Sequence, residues 1–178
     1  MMLEGHYARI ITLLSAGGVL STDDIEWFQM FILVQTRRTE LAIEQMRNFA
    51  KSMVDTAFAR APDQRPSDDR TDTQLMLESM IYAAKFSEYV KDLKVVIFRN
   101  RAVIDFVTCD NPAILTNRFH FQKLKLKNFG ISNSGTILSM PISPRLSAIC
   151  YDTGVYSLPN ASGTQFIDIT NADDNSCN

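Results

Sequence analysis

Near Leu93 the repeat of the apolar residues changes, and that change restricts the chain to a two-part build. Upstream, apolar residues recur every three or four positions, as on one helix face. Downstream they come in short β-branched and aromatic runs bounded by turn formers. The fold class predicted is α+β. An N-terminal helical half of three helices, one of them long, packs on a C-terminal, mainly antiparallel sheet of about four to six strands. With 178 residues, 46% of them hydrophobic, the chain is expected to form one domain. The helical layer is placed at 1–92 and the sheet layer at 93–170, with 171–178 as a frayed tail.

In the first half, Leu3, Tyr7, Ile10, Ile11 and Leu14 predict a short amphipathic helix that stops at Gly17-Gly18. Ser21-Thr22-Asp23-Asp24 is an N-cap cluster whose acids meet the positive end of a helix dipole, so a second helix is predicted from there to about Arg60. Its stripe runs Phe28, Ile32, Gln35, Thr39, Ala42, Met46, Phe49, Met53. Gln35 reads either as a hydrogen-bonded core amide that sets helix register or, with Arg38, as part of a polar site. Pro62 to Arg70 is a polar loop, and a third helix begins near Thr71-Asp72-Thr73. That helix carries Leu75, Ser79, Tyr82, Phe86 and Tyr89 on one stripe, with Met76, Met80 and Ala83 beside it. A stripe this wide predicts core contact on two sides.

In the second half, Val95–Phe98 and Ala102–Val107 read as the strands of a hairpin turning at Arg99-Asn100-Arg101. The hairpin delivers Thr108-Cys109-Asp110-Asn111-Pro112 at its end, where a sheet fixes the backbone and a loop leaves side chains accessible. D-N-P is equally a strand terminator, because Pro112 keeps Asn111 out of the helical region and Asp or Asn bonds nearby backbone. Asp105, within the strand, is expected to be outward or salt-bridged. Phe119 to Lys127 alternates on each side of a phase slip at Gln122-Lys123, which predicts a strand pair or a bulge with lysines protecting an edge, and His120 is expected to be exposed or half-buried. Thr136–Met140 and Leu146–Tyr151 read as strands joined through P-I-S-P, and Phe166–Ile169 as a last strand.

Residues 91–130 hold eight Lys/Arg against three Asp/Glu, a local +5 in a chain of net charge −2. This favours a polyanionic partner or simply solvated strand edges. Three cysteines, Cys109, Cys150 and Cys177, lack the spacing of a disulfide framework or a zinc site, which fits a reducing cytoplasm. The longest aliphatic or aromatic run, Phe31–Val34, is far below the ~20 residues that span a bilayer, and no basic leader precedes it. The sequon Asn160-Ala161-Ser162 is then expected to go unused.

Q-T-R-R-T (Gln35–Thr39), T-C-D-N-P (Thr108–Pro112) and M-P-I-S-P-R (Met140–Arg145) appear in this order, and in them the chain resembles the bacterial family called domain of unknown function 4238. The elements of resemblance are Q-x-x-R-T, then D-N-P, then P-[LI]-S-P. The resemblance implies a longer chain opening with an H-Y-x-P-like start, whereas here His6-Tyr7 is followed by Ala8-Arg9; a shortened member or fragment is expected. It implies no reaction.

No nucleophile elbow, phosphate-binding loop, zinc-protease helix, dinucleotide fingerprint or calcium loop occurs in the sequence. Any catalysis would rest on Asp110 as base or metal ligand with Asn111 orienting, and on Gln35, Arg38, Ser143 and Arg145 as substrate-binding groups. No metal site and no cofactor is expected. The favoured expectation is a non-catalytic interaction or structural domain, with a protein partner or a second copy of itself. The alternative is a small hydrolase or nuclease-like enzyme, a toxin or phage-defence component, in which the basic segment meets a nucleic-acid backbone.

Overall fold

The computed structural model describes residues 2–64, 66–125, 129–158 and 164–170. In chain order, the helices α1 (Met2–Ser15), α2 (Thr22–Gln35), α3 (Glu40–Ala57) and α4 (Asp72–Lys85) come first. They are followed by β1 (Lys94–Asn100), β2 (Ile114–Thr116), α5 (Arg118–Gln122), β3 (Ile137–Ser143), β4 (Leu146–Tyr151) and β5 (Phe166–Ile169). The class is α+β, with five strands in the order β2-β3-β4-β1-β5. All neighbours are antiparallel except β1 and β5.

Local chemistry starts and stops the helices. Gly17 takes φ +77, the left-handed turn that ends α1, and the N–H groups of Gly17 and Gly18 return to the Leu14 and Leu13 carbonyls. Ser21 and Asp24 form a reciprocal capping box on α2, as Thr71 and Gln74 do on α4. The single long helix expected from Ser21 to Arg60 is instead two. Thr39 leaves the helical region at φ −111, ψ 153, and its hydroxyl accepts from the Ala42 N–H, capping α3. The Thr36 hydroxyl meanwhile bonds the Leu33 carbonyl, so two threonines take over backbone groups that a continuous helix would have paired.

The β1 hairpin is also corrected. Ala102–Val107 forms no strand, because the Asn100 side chain accepts from the Ala102 N–H (2.9 Å) and donates to the Ile104 carbonyl (2.6 Å), closing a side-chain turn just past β1. The place beside β1 goes to β4, with Lys94 opposite Tyr151 and Arg99 opposite Leu146. Val103, Ile104 and Val107 are left 83, 80 and 85% exposed. The alternating run after Arg118 is likewise not a strand where it is described. Asn117 accepts from the His120 N–H and starts α5, which buries His120. Lys127 lies outside the described residues, as do the sequon, Cys177 and the expected tail at 171–178.

Side chains on one face of the sheet, including Val95, Ile97, Leu138, Met140, Ala148 and Cys150, close on Ile10, Leu14, Phe28, Ile32 and Leu33 of α1 and α2. Burial pushes the Cys150 thiol up to about 12. On the other face Val96 and Tyr151 collect Phe98, Ile137, Ile149 and Ile167 in a smaller cluster. Pro141 in β3 lies beyond the last pair with β2, Ser139 with Ile114, and the β3–β4 register shifts between Pro141 and Ser143. The stripe that begins in α4 is only half covered: Leu75, Ser79 and Ala83 are buried, whereas Tyr82 and, just past the helix, Phe86 and Tyr89 are exposed; α4 does have two neighbours, but they are mainly α2 and α3 and not the sheet that was expected as the second side.

Candidate functional site

The joint between α2 and α3 and the segment leading into β2 face each other across an open cleft of about 220 Å³. Thr36, Arg37, Thr39 and Gln45 line one side, and Asn111, Ala113, Ile114 and Leu115 the other. The Q-T-R-R-T and D-N-P stretches thus come together in space. Arg37 forms no ion pair among the described residues. Asn111 has a fully enclosed side-chain oxygen with no hydrogen-bond partner, a costly state for a buried acceptor. The Cys109 thiol turns back onto the Asn111 carbonyl at 3.4 Å.

The individual candidates divide between places. Neither Gln35 nor Arg38 lines this cleft: Gln35 is half-buried, and Arg38 reaches towards Glu4 at 4.0 Å, at the outer limit of an ion pair. Asp110 is exposed and forms no hydrogen bond or ion pair among the described residues. Ser143 lies about 13 Å further along β3 from the Ser139 pair with β2, four residues at strand rise, and Arg145 follows it in the turn before β4. There they line a second, larger cleft of about 760 Å³ with the C-terminus of α1.

That second cleft gathers Arg99, Arg101 and Arg145. Arg99 grips Asp168 through two nitrogens (2.6 and 3.3 Å), and Arg101 reaches the same carboxylate at 3.5 Å. The Arg99 hydrogen bonds hold the Asp168 carboxyl below its ordinary range. Arg145 donates to the Ala102 carbonyl (2.6 Å) and pairs with Asp105 (3.0 Å), tying down the loop after β1. Part of the basic excess read in the sequence is therefore neutralised inside the fold, and Asp105 is salt-bridged as expected.

The family model described as protein of unknown function (DUF4238) matches residues 2–178. The chain belongs to that family. No curated protein and no solved structure matches it. Within this DUF4238 chain no helix among the described residues is long and apolar enough to cross a membrane. Among those same residues, no group of three or more His, Cys, Asp or Glu is gathered as a metal site would need.

Sequence reasoning passed over Thr36, Arg37 and Gln45, although Arg37 adjoins the residue it selected. It also passed over Gln29, the buried glutamine of α2, whose amide donates to the Leu93 carbonyl at 2.7 Å. Gln29 follows Phe28 in the chain but lies off the stripe, so a helix apolar on several sides was the available signal.

Proposed function

We propose that this chain is a non-catalytic interaction domain, one unit over residues 1–178, that pairs with a second copy of itself along α3. The observation that carries the reading is the uncovered apolar side of that helix. Only Ala42 of α3 is buried, while Phe49 and Met53 are 61 and 57% exposed on a row with Leu41 and Gln45. An amphipathic helix with an open apolar row is a usual docking element. Light scattering on the wild-type chain and on a Phe49→Asp, Met53→Asp variant tests this. Dimer mass for the first and monomer mass for the second, with equal melting temperatures for the monomer fold, are the expected results; a wild-type monomer at all concentrations would refute it.

The alternative reading, a small hydrolase or nuclease-like enzyme using Asp110 with Asn111, Gln35 and Arg38, is supported by the meeting of the two motifs in one cleft beside an unpaired Arg37. Asp110→Ala and Asp105→Ala separate the readings. Loss of nucleic-acid or phosphate-ester cleavage in Asp110→Ala alone, at unchanged melting temperature, would establish the enzyme. On the interaction reading wild-type and variant are equally inert.

A further inference from the structure

The back face of the sheet, away from α1 and α2, is open beside α5. A concave space of about 660 Å³ lies there, within the range of small-molecule sites. Its floor is Ile137, Ile149 and Tyr151, and its walls are Phe119 on one side and Tyr156 and Leu158 on the other. The walls are bonded to each other: the Tyr156 hydroxyl accepts from the Phe119 N–H (2.9 Å) and donates to the Gly135 carbonyl (3.0 Å). Gly135 has φ +82, and a Cβ there would come within 2.9 Å of the Phe119 Cβ, so only glycine lets these parts close up.

The polar groups are arranged for one kind of ligand. Arg118 and Lys123 stand among the lining residues, both exposed and neither in an ion pair among the described residues. The nearby Asp152 is occupied by backbone, accepting from the N–H groups of Gly135 and Gly154, each at 2.8 Å. Tyr151 also lines the cleft, and its hydroxyl, which has no hydrogen-bond partner among the described residues, is not fully enclosed. A phenolic hydroxyl left free at a cleft can donate to an anionic group placed there.

We propose that this cleft binds a small amphipathic carboxylate: an apolar body lies on Ile137 and Ile149 between the aromatic walls, and its anionic head meets Arg118, Lys123 and the Tyr151 hydroxyl. The site is separate from α3 and independent of the self-pairing reading.

Fluorescence titration of the full chain with anilinonaphthalene sulfonate, and with its uncharged parent phenylnaphthylamine, tests both halves of the site. The expected result is saturable binding of both dyes, displaced by decanoate. Arg118→Glu with Lys123→Glu should weaken the sulfonate by about tenfold and leave the uncharged dye within about twofold. Ile149→Trp, which fills the floor, should weaken both dyes. If that variant does not fold, the exposed charge-reversal pair still decides the question. Phe49→Asp, on α3, should change neither. The proposal is overturned if charge reversal leaves sulfonate affinity unchanged, if decanoate does not compete, or if Phe49→Asp removes the binding.

Discussion

Helix α2 buries Phe28, Gln29, Phe31, Ile32, Leu33 and Val34, whereas α3, the next helix and the more clearly amphipathic of the two, buries only Ala42. α2 is enclosed by α1, α4 and β3, so apolar residues occupy most of its circumference and the periodic contrast is weak. α3 rests mainly on α4 and keeps a sharp division between apolar and polar sides. Strong amphipathicity thus marks the helix with one covered side, and in α3 part of that side has no cover from this chain.

The largest expected effect breaks the comparison at its clearest pair of residues. Phe28→Ala removes a fully buried ring and should lower unfolding free energy by about 3–5 kcal/mol. Phe49→Ala, at a dilution where the chain is monomeric, should change it by no more than about 0.5 kcal/mol. Urea unfolding of both variants checks this. A Phe49→Ala loss as large as that of Phe28→Ala would mean that α3 is covered within one chain.

How far the sequence reaches follows from the range of each cause. The starts of α2 and α4 and the stop of α1 were legible because Ser21, Thr71 and Gly17 act on groups within three or four residues. The strands β1, β3, β4 and β5 were legible as apolar runs. The joint at Thr36–Thr39 was not, since threonine is tolerated inside helices and its capping role appears only once Thr39 turns extended. The partner of β1 was not legible either. Ala102–Val107 has a strand pattern, but a local bond from Asn100 and a distant competitor, β4, decide against it. For the site, the sequence identified the two segments that meet but not the side chains. Arg37 and Arg38 are neighbours about 100° apart around a helix end, and the turn after Gln35 selects which of them faces Asn111.

A smaller effect sharpens the contrast through two glutamines of α2. Gln29 is buried and bonded to the Leu93 carbonyl, with its own oxygen unpartnered, while Gln35 is half-buried at the joint and has no side-chain bond among the described residues. The buried, hydrogen-bonded amide expected at position 35 is therefore found at position 29. Gln29→Ala leaves a buried carbonyl unpaired and should cost about 1–3 kcal/mol, against about 0.5 kcal/mol or less for Gln35→Ala. Thermal melts of the two variants, ranked in the opposite order, would undo this assignment.

The smallest effect concerns the caps at the two helix starts. Thr39 caps α3 with a neutral hydroxyl, but Asp24 in the α2 capping box is ionisable and buried. Burial works to raise its pKa, yet hydrogen bonds from the Arg9 guanidinium and from Ser21 outweigh it, leaving the carboxyl below its ordinary value. A carboxyl depressed in the folded state adds stability above its unfolded pKa of about 3.9 and loses that stability as pH falls through the folded value. The α2 end should therefore loosen on acidification below about pH 4, while the α3 cap keeps its hydrogen bond. Amide exchange at Asp24 and Ala42, followed from pH 6 to pH 3 after correction for intrinsic rates, should show protection falling at the first position and holding at the second. In Asp24→Asn the acid-dependent part should vanish. Equal acid sensitivity at both amides would show that the Arg9–Asp24–Ser21 group does not govern the start of α2.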